Sequence, residues 1–341
     1  MSMLRQTAVM LGRAPDAKPR DSDYTPAARA IHAAKRAIED KKERVAAIRA
    51  EADKARSHKW RNRRWATLLV VNLLFVVSYW WDVQLVEGAL TASRVVGFHF
   101  ADLNSALQVM LAHKKILINL VIGTITVLIL WWIFGGRTFC SWVCPYHLLA
   151  ELAEKIHVKL AEQNLVRDFT MHRGTRTVLY AIFAGLAFVT GYTVFEAISP
   201  TGILSRALIY GPTLALLWVA GLLLFEIFIT RRAWCRYICP IGLTYGFVGT
   251  AATPVHVRYD IQKCLHEGDC RKVCLVPHVL EVTKKAYAQD VATQIGPDCT
   301  RCGLCVDVCP TGSLKFEIKG LSKMLSHPPK QQPQPEAPAS P

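Results

Sequence analysis

The sequence predicts a helical membrane protein with a small, cysteine-rich α+β domain near its C-terminal end. Three observations lead to this fold class: four long apolar segments lie between residues 65 and 229, 52% of the 341 residues are hydrophobic, and seven of the eleven cysteines follow residue 254. An apolar chain with a formal net charge of +15 is unusual for a water-soluble enzyme and typical of a membrane protein with cationic loops. Because the charge surrounds the apolar segments rather than forming one basic face, no nucleic-acid partner is expected.

The apolar segments have about the length that crosses a hydrocarbon core of roughly 30 Å at 1.5 Å per residue. They are Trp65–Trp81, Ile116–Phe134, Val178–Ile198 and Thr213–Ile229. Lysine and arginine are frequent before the first segment, between the second and third, and after the fourth, and are sparse in the other two loops. The positive-inside rule therefore predicts a multi-pass protein of a bacterial inner membrane, with both termini and the cysteine-rich domain in the cytoplasm.

Composition divides the chain into four expected parts. These are a cytoplasmic N-terminal extension with a charged helix (1–59), a transmembrane domain of four helices (60–254), the cysteine-rich domain (255–322) and a disordered Pro-rich tail (323–341). Residues 1–25 are expected to be unstructured. Heptad-like apolar spacing predicts the charged helix over residues 27–55, either as a coiled-coil or partner-binding helix or as a helix on the lipid surface.

The most specific motif in the cysteine-rich domain is Cys299-x2-Cys302-x2-Cys305-x3-Cys309-Pro310. This is the spacing of bacterial ferredoxins, in which three cysteines hold one cubane and the fourth ligates the other cluster. Zinc is the alternative for paired C-x2-C motifs, but four cysteines within such a short run, closed by Cys-Pro, favour iron–sulfur. The motif predicts a bacterial 2[4Fe–4S] ferredoxin-like domain.

An upstream motif repeats this spacing with Glu267 in the position of one cysteine. Under the crossed rule, a complete [4Fe–4S] cluster has the ligands Cys274, Cys299, Cys302 and Cys305. The second site has Cys264, Cys270 and Cys309, with Glu267 as a candidate metal ligand at the fourth corner. It suits a [3Fe–4S] cluster, a [4Fe–4S] cluster with a carboxylate or water ligand, or no cluster, with Glu267 facing solvent.

A second pair of motifs follows the second and fourth apolar segments. They are Arg137-Thr-Phe-Cys140-x3-Cys144-Pro145 and Arg232-Ala-Trp-Cys235-x3-Cys239-Pro240. The repetition indicates a duplicated helical hairpin. If each segment stays helical, cysteines four apart share one helix face, and the two pairs converge on a four-thiol site. We interpret the four cysteines as catalytic candidates at a redox-active thiol, metal or cluster site, with buried structural cysteines as the alternative.

Glu226 lies inside the fourth apolar segment, about one turn from its end. An ionisable group at such a depth is costly, which makes this carboxyl a functional candidate, as a proton acceptor. The alternative is a side chain that extends toward Arg231 or Arg232 at the membrane boundary.

Over residues 60–320, the two C-x3-C-P elements, the stretch Cys274-Leu-Val-Pro-His-Val-Leu280 and the Cys299–Pro310 run resemble the NapH/MauN family of ferredoxin-type quinol dehydrogenase subunits, whose core the NosR-type proteins share. The resemblance implies electron transfer from the membrane quinone pool, with quinol as donor, through iron–sulfur clusters to a periplasmic redox enzyme, cytochrome or iron–sulfur subunit. The alternatives are an accessory protein that supplies electrons for maturation or reactivation of such an enzyme, and a redox-sensing scaffold. Glu267 departs from the family, which has a cysteine there, and the first 59 residues fall outside the resemblance.

Overall fold

The computed structural model describes residues 3–14, 18–36, 46, 48, 50, 58–82, 86–95 and 97–319. The predicted tail at 323–341 and most of the second half of the predicted charged helix lie outside these residues. The first part of that helix is present as Pro26–Arg36.

Fourteen α-helices and six strands are found in the described residues. The helices are α1 Met3–Met10, α2 Pro26–Arg36, α3 Lys59–Trp80, α4 Leu103–His113, α5 Ile118–Phe134, α6 Thr138–Trp142, α7 Pro145–Glu162, α8 Thr175–Thr190, α9 Val194–Ile198, α10 Pro200–Tyr210, α11 Ala215–Phe228, α12 Pro240–Val248, α13 Asp269–Lys272 and α14 Leu304–Asp307. The strands are β1 Val86–Ala89, β2 Ala92–Val95, β3 Phe98–Ala101, β4 Val255–Asp260, β5 Ala292–Gln294 and β6 Leu314–Ile318. A π-helix covers Trp234–Ile238, and 3-10 helices cover Asp21–Asp23 and Pro277–Thr283.

Helices α4 to α12 pack around one aromatic core. Its fully buried members include Tyr146, Phe195, Trp234 and Tyr245. Strands β1, β2 and β3 form an antiparallel meander that the sequence patterns did not predict. Asp102 then starts α4, because its side chain accepts the N–H groups of the next turn and caps the helix.

The helices at the four predicted spans are shorter or more polar than expected. No helix among the described residues combines the length and the apolar character that crossing a bilayer requires. Helix α3 has 22 residues but begins with several cationic side chains, and α5 and α11 have 17 and 14 residues. The predicted span Val178–Ile198 is divided into α8 and α9, because Gly191 ends α8 in the left-handed conformation that favours glycine.

The C-terminal module is built on an antiparallel sheet in the order β5-β4-β6. Strand β4 lies in the middle and places Val257 and Tyr259, both nearly inaccessible to solvent, in a core with Leu280 and Leu314. The cysteines occupy the loops and the short helices α13 and α14 on this core. The expected α+β ferredoxin-like domain is therefore present in its predicted part of the chain.

The expectation that residues 1–25 are unstructured is wrong for helix α1. Met10 is only 1% exposed, and its sulfur lies against the position where Gly246 has no side chain. Arg176 donates to the carbonyl of Met10 at 3.1 Å, and Thr177 donates to the carbonyl of Leu11 at 2.8 Å. The helix forms because long-range contacts supply the partners that its polar local sequence does not reveal.

Candidate iron–sulfur centres

The two ferredoxin motifs have the same backbone geometry, each residue lying 35 positions from its counterpart. His266 and Arg301 both have positive φ, 58° and 52°, and each donates its backbone N–H to the sulfur two residues earlier, at 3.3 and 3.4 Å. Gly268 and Gly303 then begin α13 and α14 in the left-handed conformation. Glu267 thus takes the place that Cys302 has in the other copy.

One ligand set combines the last cysteine of the upstream motif with the first three cysteines of the downstream motif. Burial raises the pKa of Cys274, and its neighbours Cys302 and Cys299 raise it further. Burial also raises the pKa of Cys305, and the same three thiols raise it further. The grouping is the set predicted for a complete [4Fe–4S] cluster, and the thiols would lose their protons when they bind iron.

The second set surrounds a separate cavity. Cys264, Cys270, Cys309 and Glu267 all line it. The hydroxyl of Thr283 lies 3.7 Å from the sulfur of Cys270. Glu267 therefore lines the same cavity as the three thiols. This position fits a ligand at the fourth corner of a cluster better than the alternative, in which the side chain faces solvent.

The four cysteines of the helical part also share one cavity. Its lining includes Cys140, Cys144, Cys235 and Cys239, together with Leu275 from the C-terminal module. Cys144 contacts the hydroxyl of Thr201 at 3.1 Å. The convergence of the two pairs that the sequence suggested is present in the structure.

The backbone that brings the cysteine pairs together differs from the expected one, because neither pair lies on a continuous helix. The N–H of Cys144 bonds to the carbonyl of Phe139 at 3.2 Å, and that of Cys239 to the carbonyl of Trp234 at 2.8 Å, so both turns are wider than α-helical turns. Each second cysteine is extended and starts the next helix, with a proline at the first helical position. Proline disfavours helical geometry in the residue before it, and this places the two sulfurs around a break.

Burial argues against a reactive thiol at these positions. It raises the pKa of Cys144 to about 11 and that of Cys239 to about 12. Reactive cysteines need a lowered pKa and solvent access, and burial acts against both at these positions. No three Cys, His, Asp or Glu side chains of the described chain meet closely enough to hold a single metal ion. The donor set fits a cluster better than a thiol nucleophile.

Glu226 is fully buried beside this site. Its Oε1 accepts the N–H of Trp234 at 3.0 Å. Within the described residues, neither Glu226 Oε2 nor the hydroxyl of Tyr146 has a hydrogen-bond partner of good geometry. Arg232, one of the two partners considered for Glu226, pairs with Glu154 at 2.5 Å.

An ion-pair network that sequence reasoning missed holds the two modules together. Asp298, next to Cys299, binds Arg137 at 2.5 Å, Arg176 at 3.2 Å and His278 at 2.9 Å. Burial alone would raise the pKa of Asp298, but Arg137 and Arg176 hold it well below its usual value. The arginine at the start of both C-x3-C-P motifs could have predicted this network, because a buried arginine requires an acidic partner.

Further contacts join the two kinds of cysteine motif directly. Ser141 donates to the carbonyl of Thr300 at 2.6 Å, and the indole of Trp142 donates to that of Arg301 at 3.0 Å. Arg236 donates to the carbonyl of Leu275 at 2.9 Å. Each contact lies one or two residues from a cysteine, so the helical site and the ferredoxin site form one continuous structure.

The comparisons with known proteins agree with this division. A family model described as "4Fe-4S binding domain" matches residues 117–161 and 211–252, which contain the C-x3-C-P pairs. A second model with the same description matches residues 297–315. The chain therefore has 4Fe–4S binding domains whose clusters are bound by cysteines. No solved structure matches the chain.

Three relatives cover most of the chain and most of their own length. The ferredoxin-type protein NapH of Escherichia coli (strain K12) is 30% identical over 73% of this chain and 88% of its own. The methylamine utilization ferredoxin-type protein MauN of Methylobacillus flagellatus is 31% identical over 75% and 90%, and MauN of Methylorubrum extorquens is 29% identical over 82% and 97%. The identity and its extent, together with the two kinds of cysteine motif, show that this chain belongs to the NapH/MauN family of ferredoxin-type proteins.

Proposed function

We propose that this chain is a membrane electron-transfer protein that oxidises quinol and relays single electrons through iron–sulfur clusters to a partner redox enzyme. One observation carries the proposal. The cavity of the four helical cysteines is bounded by Leu275, the residue after Cys274, and Cys274 belongs to the ligand set of the complete ferredoxin cluster. A donor oxidised beside the helices would therefore be next to the start of the ferredoxin module.

We infer that Cys140, Cys144, Cys235 and Cys239 hold a third cluster, and that the Glu267 site holds a cluster with carboxylate as one ligand. Four buried thiols on one cavity form a donor set that suits iron–sulfur, and the matching family description supports this assignment. Such clusters supply one-electron transfer when bound. The chain's contribution is to hold the thiols in an apolar enclosure, which Thr201, Trp234 and Ile241 complete.

Quinol oxidation releases two protons as well as two electrons, so the site needs a proton acceptor. Glu226 is suited to this role because it is fully buried, accepts the N–H of Trp234, the residue before Cys235, and has its carboxyl beside the hydroxyl of Tyr146. An intramembrane carboxyl of this kind is a functional candidate by default.

The proposal is tested with the purified full chain under anaerobic conditions. Adding a reduced short-chain quinol to the oxidised protein is expected to produce the EPR signal of reduced clusters, and a sample without quinol is the control. A protein that dithionite reduces but quinol does not would contradict quinol oxidation and would favour electron supply from a protein partner instead.

We propose an inner-membrane location, with both termini and the cluster module on the cytoplasmic side. Large apolar side chains on the outer faces of the helices support lipid contact, since exposed patches of this extent are rare on proteins in water. Examples are Leu69 at 60% exposure on α3, Ile118 at 74% on α5 and Leu217 at 71% on α11.

Reporter fusions test this orientation. A reporter fused after Ala92 is expected to read outside, and one fused after Pro341 is expected to read inside, because the cationic loops stay in the cytoplasm. A C-terminal reporter with periplasmic activity would reverse the orientation and remove the clusters from the cytoplasm.

A further inference from the structure

A cavity of about 390 Å³ lies between the helical part and the C-terminal module, beside the cysteine sites. Its walls include four arginines from loops and helix starts, Arg173, Arg176, Arg231 and Arg236, and the segment 275–278 that follows Cys274. A space of this size is within the range of small-molecule sites, roughly 300–1,000 Å³. Nothing in the electron-transfer proposal uses it.

The positive charge around this cavity exceeds the negative charge. Five arginines and three acidic residues line it, which leaves two positive charges in excess when His278 is neutral. The three acids are already engaged: Asp298 by Arg137 and Arg176, Asp168 by Arg231 at 2.6 Å, and Glu281 by Lys284.

Two of the arginines are left without a close carboxylate of their own. Arg236 approaches Glu154 only at 3.8 Å, and Glu154 is paired more closely with Arg232. Arg173 forms no ion pair with any described residue and donates to the carbonyl of Val9. Both side chains are partly buried and donate mainly to carbonyl groups, which favours a negatively charged ligand.

Burial gives the same indication at Arg176. This side chain is 4% exposed, and its Nε has no hydrogen-bond partner in the described structure. Desolvation lowers the pKa of both Arg176 and Arg173, although Asp298 acts in the opposite direction. The described residues therefore leave the guanidinium Nε of Arg176 without an acceptor on the cavity side of Asp298.

We propose that this cavity binds a phosphate group, either of a small phosphate compound or of an anionic lipid. Guanidinium groups match phosphate oxygens by paired hydrogen bonds, and several of them together suit its multiple negative charge better than a single carboxylate would. Met171, Tyr237 and Val276 add apolar surface for the carbon part of such a ligand. The cavity also touches Cys235, so the bound charge would lie between the helical site and the ferredoxin site.

Binding is measured on the purified, delipidated full chain with two probes. Inorganic phosphate is titrated by calorimetry, and vesicles of phosphatidylglycerol are compared with vesicles of phosphatidylcholine in a flotation assay. Arg173→Gln is expected to weaken binding of whichever probe binds the wild-type protein about tenfold, as the loss of one charge-assisted hydrogen bond implies. Arg173→Lys should retain part of the affinity. Arg167→Gln removes the same charge from an exposed neighbouring position and should leave binding unchanged.

Met171→Glu is the second variant, because Arg173 also contacts the N-terminal segment and its loss can affect folding. A negative charge on the cavity wall should repel the phosphate without removing an arginine. A response to inorganic phosphate identifies the free compound, and a response confined to phosphatidylglycerol identifies the lipid. Binding of neither probe, or equal binding by wild type, Arg173→Gln and Met171→Glu, would overturn the proposal.

Discussion

Cys302→Ser is expected to remove the complete [4Fe–4S] cluster and to abolish the cooperative unfolding of the C-terminal module. Cys302 is 7% exposed and stands among Cys274, Cys299 and Cys305, so no other described thiol is placed to replace it in this set. Cluster binding contributes directly to folding in a module with so small a core. Iron and sulfide content, anaerobic EPR and thermal unfolding measure the three consequences.

Ala288→Ser is the matched control for this substitution. It places a hydroxyl at another fully buried position of the same core without removing a thiol, and should retain the iron. If Cys302→Ser keeps the iron content and spectrum of the wild type, the assignment of this ligand is wrong.

Glu267→Cys is the opposite substitution at the equivalent position of the other motif. It supplies the missing thiol on a backbone that already has the geometry of its counterpart, and is expected to give an all-thiolate cubane. EPR should change for this cluster alone. Two equivalent cubanes in the wild type, unaltered by the substitution, would count against a carboxylate-ligated site.

The second large effect is expected at the helical cysteines. Cys140→Ala and Cys235→Ala should stop the reduction of the ferredoxin clusters by quinol, while the protein level and the dithionite-reduced EPR signals of the C-terminal clusters stay normal. The reason is that both thiols line a cavity that reaches Leu275 of the C-terminal module. A purely structural role predicts a loss of stability of about 1 kcal/mol and an unchanged rate.

Val143→Ala serves as the control in this experiment. It shortens a partly buried apolar side chain between the two cysteines of the first motif without removing a thiol. Rates are compared at matched protein level, and Cys144→Ala and Cys239→Ala extend the series. Wild-type reduction rates in all four cysteine variants would make these residues structural and would move the electron path elsewhere.

Features that depend on short-range spacing were determined by the sequence alone. The ferredoxin motif at Cys299–Cys309, the Glu267 substitution in its copy and the repeated C-x3-C-P pair are patterns of a few residues, and backbone geometry makes such spacings specific. The α+β character of the C-terminal module and the family follow from the same residues. Roles that need more than spacing, such as the electron path and the location in the cell, stay predictions.

Only the tertiary structure decided which distant groups meet. The pairing of Asp298 with Arg137, the order of helix α1 through the buried Met10, and the cationic cavity all join residues more than a hundred positions apart, and no local pattern encodes such contacts. The proline after each second cysteine is visible in the sequence. Only the structure shows that the helix breaks before these prolines bring all four cysteines to one cavity. Apolar composition marked the helices of the bundle but not their bounds. Gly191 ends α8 inside a predicted span because its backbone is left-handed, and α3 begins with cationic residues that precede its apolar segment.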